Sequence, residues 1–312
     1  MTGPFVSVRL ASAAAAIAAT ATMVSQAADA GVHFTFQGKN AVGSDGWPTT
    51  RGRISSFGDG GGFGKGRVSI GIADIGAKRN LVGPGAANAC YAPLPGFPAQ
   101  NGCLAAKALG IRLEGAKLCL ALQPGSNTQN LMFSQVVCAP SVTADLGGEM
   151  GPKITGVLPP TFIEGDPDFM MAVSKRGNSF RSAPCNVILM QAVGGATGAV
   201  RYWDGSGFSP SRAAAEPVFT AASCGRAPGV IKVGSIYRMV IANSDIPRQG
   251  NTFTVAEAAR PQGPWTTRGE GRIPGGGYFA CFHIKADAKG GTLACSGTGG
   301  TDALNIIGYI LD

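Results

Sequence analysis

The sequence is poor in the residues on which most enzyme chemistry depends. It has two histidines, His33 and His283, in 312 residues, and charged residues make up 14% of the chain. It contains no GxSxG nucleophile elbow, no HExxH pair, no Walker A motif and no complete GxGxxG loop. These absences argue against histidine-based triads, histidine-rich metal centres and the common nucleotide-binding loops. Carboxylates are the catalytic groups that remain.

Long amphipathic helices are missing as well. Only Leu104–Leu109 is predicted to form a turn or two of helix. The 48 glycines and 20 prolines instead interrupt short apolar segments along the whole chain, a pattern typical of many strands joined by turns. The sequence therefore predicts an all-β fold. Residues 43–100, which are rich in glycine, are the least regular part and read as a long loop.

Eight segments are predicted to be strands, because their apolar residues alternate or run continuously. They are Ala116–Leu122, Asn130–Val137, Phe169–Ser174, Asn186–Ala192, Ile236–Ala242, Thr252–Ala256, Tyr278–Ile284 and Asn305–Leu311. Strand clusters recur at roughly 45–60 residues, a spacing typical of propeller blades. Because no repeated motif marks the blades, a β-sandwich explains the same composition and stays the alternative.

The amino terminus has the features of a secretory signal. Arg9 provides a positive charge, Leu10–Val24 is an uncharged apolar run, and Ala28–Ala30 is a small-residue cleavage site. The run is shorter than the roughly 20 residues of a membrane span. We therefore expect residues 1–30 to be a signal peptide and residues 31–312 to be one exported β domain without a membrane anchor, extracellular or periplasmic.

All eight cysteines follow the predicted cleavage site, and an even number in an exported chain indicates disulfides. Close spacing favours Cys90–Cys103, Cys119–Cys138 and Cys281–Cys295, which leaves Cys185–Cys224. A turn at residues 287–291 would also place Cys281 opposite Cys295. No CxxC or Cys/His cluster suggests zinc.

The charge balance is basic, with 26 Lys and Arg against 18 Asp and Glu. Removal of residues 1–30 takes away one charge of each sign, so the mature chain keeps the net charge of +8. The positive residues are scattered and are not concentrated on one element between aromatic residues. This distribution argues against a nucleic-acid partner. No feature of the sequence sets the oligomeric state.

Glycoside hydrolysis needs only two carboxyl groups that face each other across the scissile bond. The candidates are Asp45 in a Gly-Ser-Asp-Gly-Trp segment, Asp59 in a Phe-Gly-Asp-Gly segment, and the acidic cluster of Glu164, Asp166 and Asp168. An aspartate beside glycine is also a common turn residue. Trp47 lies two residues from Asp45, where its ring could stack on a sugar, although packing is the commoner role of such a residue.

Three stretches resemble the five-bladed β-propeller proteins related to arabinan-degrading glycosidases, in particular the endo-D-arabinanase-like group. Tyr202–Pro210 is similar to a blade-closing motif, with Phe208 where tryptophan is usual. Gly263–Thr266 is similar to a Gly-Pro-Trp turn, and Tyr278–His283 to an aromatic strand that ends in histidine. The likeness covers roughly residues 160–312 and is weaker upstream.

The resemblance implies a secreted glycoside hydrolase that acts on an arabinan-like polysaccharide. It implies Asp45 and Asp59 as the catalytic pair, and Arg176 and His283 as groups that bind sugar hydroxyls beside Trp47. No cofactor is implied, and a calcium ion in the pore would be compatible with the fold. The chain departs from the family at Gly60, where threonine is usual, and it lacks a Gly-Glu motif in Thr220–Gly234. A non-catalytic glycan- or surface-binding propeller is therefore the alternative.

Overall fold

Strands and turns account for nearly all of the described chain. The computed structural model describes residues 32–41, 54–56, 69–72, 77–80, 91–100, 103–104, 106–124, 133–141, 144–174, 184–221, 228–243, 252–272, 281–296 and 303–311. Within these ranges the helical structure is a single 3-10 turn, Arg212–Ala214. No helix among them is long and apolar enough to cross a membrane.

The strands, numbered along the chain, begin with six near the amino terminus. These are β1 (Val32–Ala41), β2 (Ile54–Ser56), β3 (Ser69–Ile72), β4 (Ala77–Asn80), β5 (Ala99–Gln100) and β6 (Cys103–Leu104). Strands β2, β3 and β4 form a three-stranded antiparallel sheet, and β5 pairs with β6. Residues 43–100, predicted as a long loop, thus contain several short strands.

Four larger sheets follow one another along the chain. Sheet I contains β7 (Ala106–Glu114), β8 (Lys117–Pro124), β9 (Phe133–Ala139) and β10 (Glu149–Thr155). Sheet II contains β11 (Thr161–Phe162), β12 (Phe169–Ser174), β13 (Cys185–Val193), β14 (Ala199–Trp203), β15 (Phe208–Ser209) and β16 (Pro217–Ala221). Sheet III contains β17 (Gly229–Val233), β18 (Ile236–Asn243), β19 (Thr252–Ala258) and β20 (Thr266–Arg272). Sheet IV contains β21 (Cys281–Asp287), β22 (Gly290–Ser296) and β23 (Ala303–Leu311), and β1 joins it beside β23.

All eight predicted strands are present, with boundaries shifted by up to three residues. The helix predicted at Leu104–Leu109 is wrong. β6 ends at Leu104, and β7 pairs along its length with β8 from Ala106 onwards. A short apolar run does not distinguish a helix from a strand, and here the neighbouring strand decides the outcome.

Tight turns join the first two strands of sheets I and III. Glu114 pairs with Lys117, and Val233 pairs with Ile236, so each hairpin has a two-residue loop. Gly115 and Gly234 hold the first loop position with φ near +60°. Glycine adopts this left-handed conformation without the steric cost that a Cβ atom would add.

Neighbouring sheets stack face to face in chain order. Strand β12 shows the pattern: Met170 and Ala172 pack in a core shared with sheet I, whereas Met171 and Val173 pack in a core shared with sheet III. Strand β18 repeats it, with Met239 facing sheet II and Val240 facing sheet IV. Because both faces are buried, these strands read as continuous apolar runs without alternation.

The first strand of each sheet also lies beside the first strands of its neighbours. β7 contacts β2 and β11, and β17 contacts β11 and β21. A parallel bridge between Glu164 and Ile231 joins sheets II and III at this edge. The first strands of these sheets therefore lie side by side along one side of the stack. In a two-layer sandwich each sheet buries one face, whereas sheets II and III each bury both faces.

Two disulfides each join adjacent strands within one sheet. Cys119 of β8 lies opposite Cys138 of β9, and Cys281 of β21 lies opposite Cys295 of β22. Both pairings are those predicted from the spacing. Cys185 is also disulfide-bonded. The described residues do not include its predicted partner Cys224, or Cys90, so the pairings Cys185–Cys224 and Cys90–Cys103 stay predictions.

Replacement of Cys119 and Cys138 together by alanine is expected to lower the free energy of unfolding by about 3 kcal/mol. The bond closes a loop across a sequence separation of 19 residues, and its loss frees the unfolded chain. Urea unfolding at equilibrium measures the change. The pair Cys281→Ala and Cys295→Ala, across 14 residues, is the matched comparison and should show a similar loss. An unchanged unfolding midpoint in both variants would contradict the expectation.

Candidate functional site

Four of the five predicted site residues lie outside the described residues. Asp45 and Trp47 lie between β1 and β2 in the sequence, Asp59 follows β2, and Arg176 follows β12. The proposed roles of these four residues stay predictions. The neighbouring strands are described: β2 contacts β7 of sheet I, and β12 belongs to sheet II.

His283, the fifth predicted site residue, lies on β21, the first strand of sheet IV. Its ring is 4% exposed and packs edge to face against the ring of Tyr309, with the centroids 5.9 Å apart. The Tyr309 hydroxyl lies 3.3 Å from His283 Nδ1. His283 is thus a buried, hydrogen-bonded histidine. Its contact with a sugar stays a prediction.

Arg238 of β18 links sheets III and IV and also contacts Tyr309, the neighbour of this histidine. It is completely buried, and its Nε donates to Glu257 Oε1 at 2.8 Å. Its Nη1 donates to the carbonyl oxygens of Asp287 and Gly290, each at 2.9 Å, and to the Tyr309 hydroxyl at 3.2 Å. One guanidinium therefore holds the β21–β22 turn and Tyr309 of sheet IV against sheet III.

The acidic segment Glu164–Asp168 joins sheet II to both of its neighbours. The Asp168 carboxylate lies 3.8 Å from Arg112 of sheet I, and Arg112 donates to the Pro167 carbonyl at 2.5 Å. On the other side, Asp166 accepts a hydrogen bond from the Tyr237 hydroxyl and lies 3.6 Å from Lys232 Nζ, both of sheet III.

These contacts also shift the ionisation of the partners of Asp166. Burial, reinforced by the hydrogen bond to Asp166, raises the pKa of Tyr237. Lys232 interacts with the same tyrosine and aspartate, which raises the pKa of its ammonium. Because Asp166 and Asp168 both face basic groups at close range, the structure gives them a role in joining the sheets.

The Tyr202–Pro210 motif forms a hairpin turn at the outer side of sheet II. Asp204 Oδ1 accepts hydrogen bonds from the backbone N–H of Ser206 and Gly207, which hold the pKa of that carboxyl below its usual range. Trp203 packs against Phe208 with ring centroids 5.5 Å apart. Trp265 Nε1 donates to the Pro261 carbonyl at 3.1 Å. Both tryptophans pack on the core between sheets II and III, which is a structural role.

Polar side chains collect in the space between sheets I and II, where their strands end. Gln123 is 1% exposed and follows Cys119 and Ala121 on the face of β8 that packs against sheet II. Ser134 and Ser174, both buried, lie on strands that face the same space, and Ser134 donates to the Val157 carbonyl at 3.3 Å. Within the described chain, Gln123 Nε2 has no hydrogen-bond partner.

Sequence reasoning missed Arg238, Tyr309 and Gln123. Arg238 interrupts an otherwise apolar strand from Ile236 to Ala242, and Gln123 ends an apolar strand in the same way. A polar residue inside an apolar run could therefore have identified these positions from the sequence, since a polar side chain is usually buried only when it has partners or a function. Among the residues that the structure describes, no group of three or more His, Cys, Asp or Glu side chains could hold a metal ion.

Arg238→Met is expected to lower the free energy of unfolding by about 3 kcal/mol or more, because it leaves carbonyl oxygens and a carboxylate without their donor. The double variant with Glu257→Leu should lose less than the sum of the two single changes, since the two groups compensate each other. Chemical unfolding of the three variants tests this. Arg260→Met, at an exposed position, is the control and should leave stability nearly unchanged. Strict additivity would contradict the interpretation.

Gln123→Leu is expected to leave stability unchanged or raise it by roughly 1 kcal/mol, because an unpaired buried amide carries a desolvation cost. Gln135 on the neighbouring strand is the matched comparison, because its Nε2 donates to the Gly151 carbonyl at 2.7 Å. Gln135→Leu should destabilise by about 1 kcal/mol. Urea unfolding midpoints of the two variants measure these changes. An equal loss of stability in Gln123→Leu and Gln135→Leu would show that the Gln123 amide is paired.

No protein-family model and no curated protein matches this sequence. Among solved structures, the chain is similar to a family 117 glycoside hydrolase of the marine bacterium Zobellia galactanivorans, at 12% identity and a TM-score of 0.46 over 78% of this chain and 68% of that chain. It is also similar to an α-L-arabinanase of Cellvibrio cellulosa, at 9% identity and a TM-score of 0.44 over 83% of this chain and 91% of that chain. An endo-1,4-β-xylanase of Bacteroides thetaiotaomicron gives 13% identity and a TM-score of 0.43 over 86% and 92%. At these TM-scores the likenesses establish no activity for this chain.

Proposed function

We propose that this chain is an exported glycoside hydrolase with a five-bladed β-propeller fold that acts on an arabinan-like polysaccharide. The observation that carries the proposal is the face-to-face stacking of successive sheets whose first strands lie side by side. In a propeller this arrangement surrounds a central channel. In the proposed propeller the β2–β4 sheet and sheets I to IV would be the five blades, with β1 in the last one beside β23.

The proposed catalytic pair flanks one of these first strands. Asp45 precedes β2 and Asp59 follows it three residues after Ser56. β2 contacts β7, the first strand of sheet I. Because first strands in a propeller line the same channel, residues far apart in sequence can meet there. His283 of β21, Trp47 and Arg176 are proposed as further sugar contacts.

Two carboxyl groups suffice for the reaction. One, protonated, donates its proton to the leaving glycosidic oxygen, while the other, ionised, either activates a water molecule or attacks the anomeric carbon. Trp47 would stack on a sugar ring, and Arg176 and His283 would donate to sugar hydroxyls. No metal or cofactor takes part in the proposed steps.

Export is part of the proposal. Disulfides persist mainly in oxidising compartments such as the periplasm and the cell exterior, and the described residues contain two within the sheets. The signal-like segment at residues 1–30 supplies the route. A secreted hydrolase would meet polysaccharide there, without nucleic acid or membrane as a partner.

A non-catalytic glycan-binding protein is the second candidate. Two sequence observations favour it: Gly60 stands where the resembled group has threonine, and Thr220–Gly234 lacks the Gly-Glu motif. The described carboxylates Asp166, Asp168 and Glu257 also face arginine, lysine or tyrosine groups and are engaged in structural contacts. Such a binding protein would have the channel and the sugar contacts but would not hydrolyse the glycosidic bond.

The test is release of reducing sugar from plant and bacterial arabinans by residues 31–312 with intact disulfides. Asp45→Asn and Asp59→Asn are each expected to reduce the rate by at least about 100-fold, because each removes an acid, base or nucleophile. Asp204→Asn is the matched control, since it makes the same change at a turn aspartate and should keep the wild-type rate.

Binding of the same polymers, measured by affinity electrophoresis, separates the two candidates. Binding without release by the folded wild-type protein would favour the non-catalytic protein. Release that persists in both Asp45→Asn and Asp59→Asn would refute the proposed catalytic pair. A folded protein that neither binds nor cleaves any arabinan would overturn the assignment to this substrate class.

A further inference from the structure

The space between sheets I and II is apolar along most of its length and becomes polar at one end. Ala121 of β8 and Ala172 of β12 belong to the apolar part. Two positions further along each strand, the same faces carry Gln123 and Ser174, and both side chains are buried. Amide and hydroxyl groups therefore replace apolar groups where the two strands end.

Each of these two residues has a polar neighbour on the next strand of its sheet. The register of β8 with β9, continued by one position, places Ser134 opposite Gln123. Asn186 of β13 pairs with Ser174. Because side chains of directly opposed residues lie on the same face of a sheet, sheets I and II each present a polar pair to the space between them.

The backbone of Val157 connects the two pairs. Its carbonyl oxygen accepts a hydrogen bond from Ser134 Oγ at 3.3 Å, and Val157 also forms an antiparallel bridge with Ser174. The pair of sheet I and the pair of sheet II therefore lie at the same end of this space. The interlayer polar site is defined by these four residues: Gln123, Ser134, Ser174 and Asn186.

Gln123 is the residue of this site that points most directly to a ligand. Its side chain is 1% exposed, and within the described chain its Nε2 has no hydrogen-bond partner. An unpaired buried amide carries a desolvation cost in the free protein. A ligand that accepts a hydrogen bond from Nε2 removes this cost, so the hydrogen bond contributes to affinity in full.

The positions of the four residues bring them to the surface end of the space between the sheets. Ser174 is the last residue of β12, and Ser134 and Asn186 are the second residues of their strands. Asn186 is partly exposed, and its Oδ1 accepts from the Thr220 hydroxyl at 3.2 Å, so its NH2 group is what it offers to a ligand. Rotation of the Gln123 side chain toward this end breaks no hydrogen bond of its Nε2.

The interlayer polar site suits an uncharged ligand that is rich in hydroxyl groups. Two of its side chains are amides, two are hydroxyls, and none is charged. Amides and hydroxyls both donate and accept hydrogen bonds, as sugar hydroxyls do. An anion bound among these four groups would have no compensating positive charge from them. In the sequence, Arg176, a proposed sugar contact, follows Ser174 by two residues.

We infer that the interlayer polar site binds one uncharged sugar residue, with Gln123 Nε2 as a hydrogen-bond donor to a sugar oxygen. None of its four residues belongs to the catalytic pair or to the sugar contacts proposed above. The assignment of this sugar to an arabinan-like polysaccharide rests on the proposed function. Gln123 is then a specificity-determining residue, because a ligand without an oxygen at this point leaves the amide unpaired.

Nuclear magnetic resonance observes the Gln123 amide directly. Residues 31–312 labelled with 15N are titrated with α-1,5-linked arabinotriose, and the side-chain NH2 signal that is lost in Gln123→Leu assigns the resonance. The expected result is a saturable shift of this signal. Gln135 is the matched control, because its Nε2 donates to the Gly151 carbonyl and its pairing partner Leu122 lies on the face of sheet I that points away from sheet II. Its NH2 signal should not move.

The titration separates the site from the proposed function. Shifts elsewhere with an unchanged Gln123 NH2 signal would overturn the inference and leave the proposed function standing. If arabinotriose shifts no signal, the titration is repeated with xylotriose, cellotriose and galactotriose. A Gln123 shift with one of these would support the site and refute the arabinan assignment, whereas no shift with any of them would overturn both.

Affinity and stability measured together distinguish a ligand contact from a structural role. For a trisaccharide that shifts the Gln123 signal, Gln123→Leu is expected to weaken affinity about fivefold, the value of one hydrogen bond, while the urea midpoint stays or rises. Gln135→Leu should show the opposite, a lower midpoint with unchanged affinity. Calorimetric titration measures the affinities, and an affinity of Gln123→Leu equal to that of the wild type would overturn the inference.

Discussion

Burial of both faces of each inner sheet is the constraint on which the rest of the structure depends. An apolar residue on either face of β12 or β18 needs a neighbouring sheet, so no sheet can be stable alone. Each sheet therefore packs against the next one along the chain. A face without a neighbouring sheet must be covered by other residues. On sheet I, the face that points away from sheet II is covered by Tyr91, Leu94, Phe97 and Leu104. The same requirement brings β1 to sheet IV and places both ends of the described chain in one sheet.

Charged contacts add specificity to this apolar stacking, because apolar faces alone do not determine how one sheet is placed on the next. Arg112 and Asp168 connect sheets I and II, Asp166 and Tyr237 connect sheets II and III, and Arg238 reaches the β21–β22 turn from sheet III to sheet IV. A completely buried guanidinium costs desolvation that its partners must offset. Here Glu257, Tyr309 and two carbonyl oxygens of the β21–β22 turn are the partners of that guanidinium, so its hydrogen bonds join two strands of sheet III to sheet IV.

The sequence could predict the strands because their apolar runs are short and bounded by glycine and proline. It could also predict Cys281–Cys295, since a turn near Gly290 brings the two cysteines opposite each other. It could not predict the helix or strand state of Leu104–Leu109, where six residues fit both periods and only pairing with β8 decides. Nor could it predict the partners of Arg238, because these lie on β19, on β23 and in a turn that are far apart in the sequence. Local patterns thus determine elements, whereas contacts between sheets appear only when the sheets are stacked.

The same distinction between local patterns and contacts between sheets applies to the predicted site. Asp45, Asp59, Trp47 and Arg176 were chosen by residue type and local motif, and they lie outside the described residues. His283 was chosen in the same way, yet its chemistry depends on residues from two sheets that no motif records. The hydrogen bond between Arg238 and Tyr309 can run in one direction only, because a guanidinium has no acceptor to offer. A motif can therefore name the residue at a site, whereas the donor or acceptor character of that residue is set by the partners that the fold brings to it.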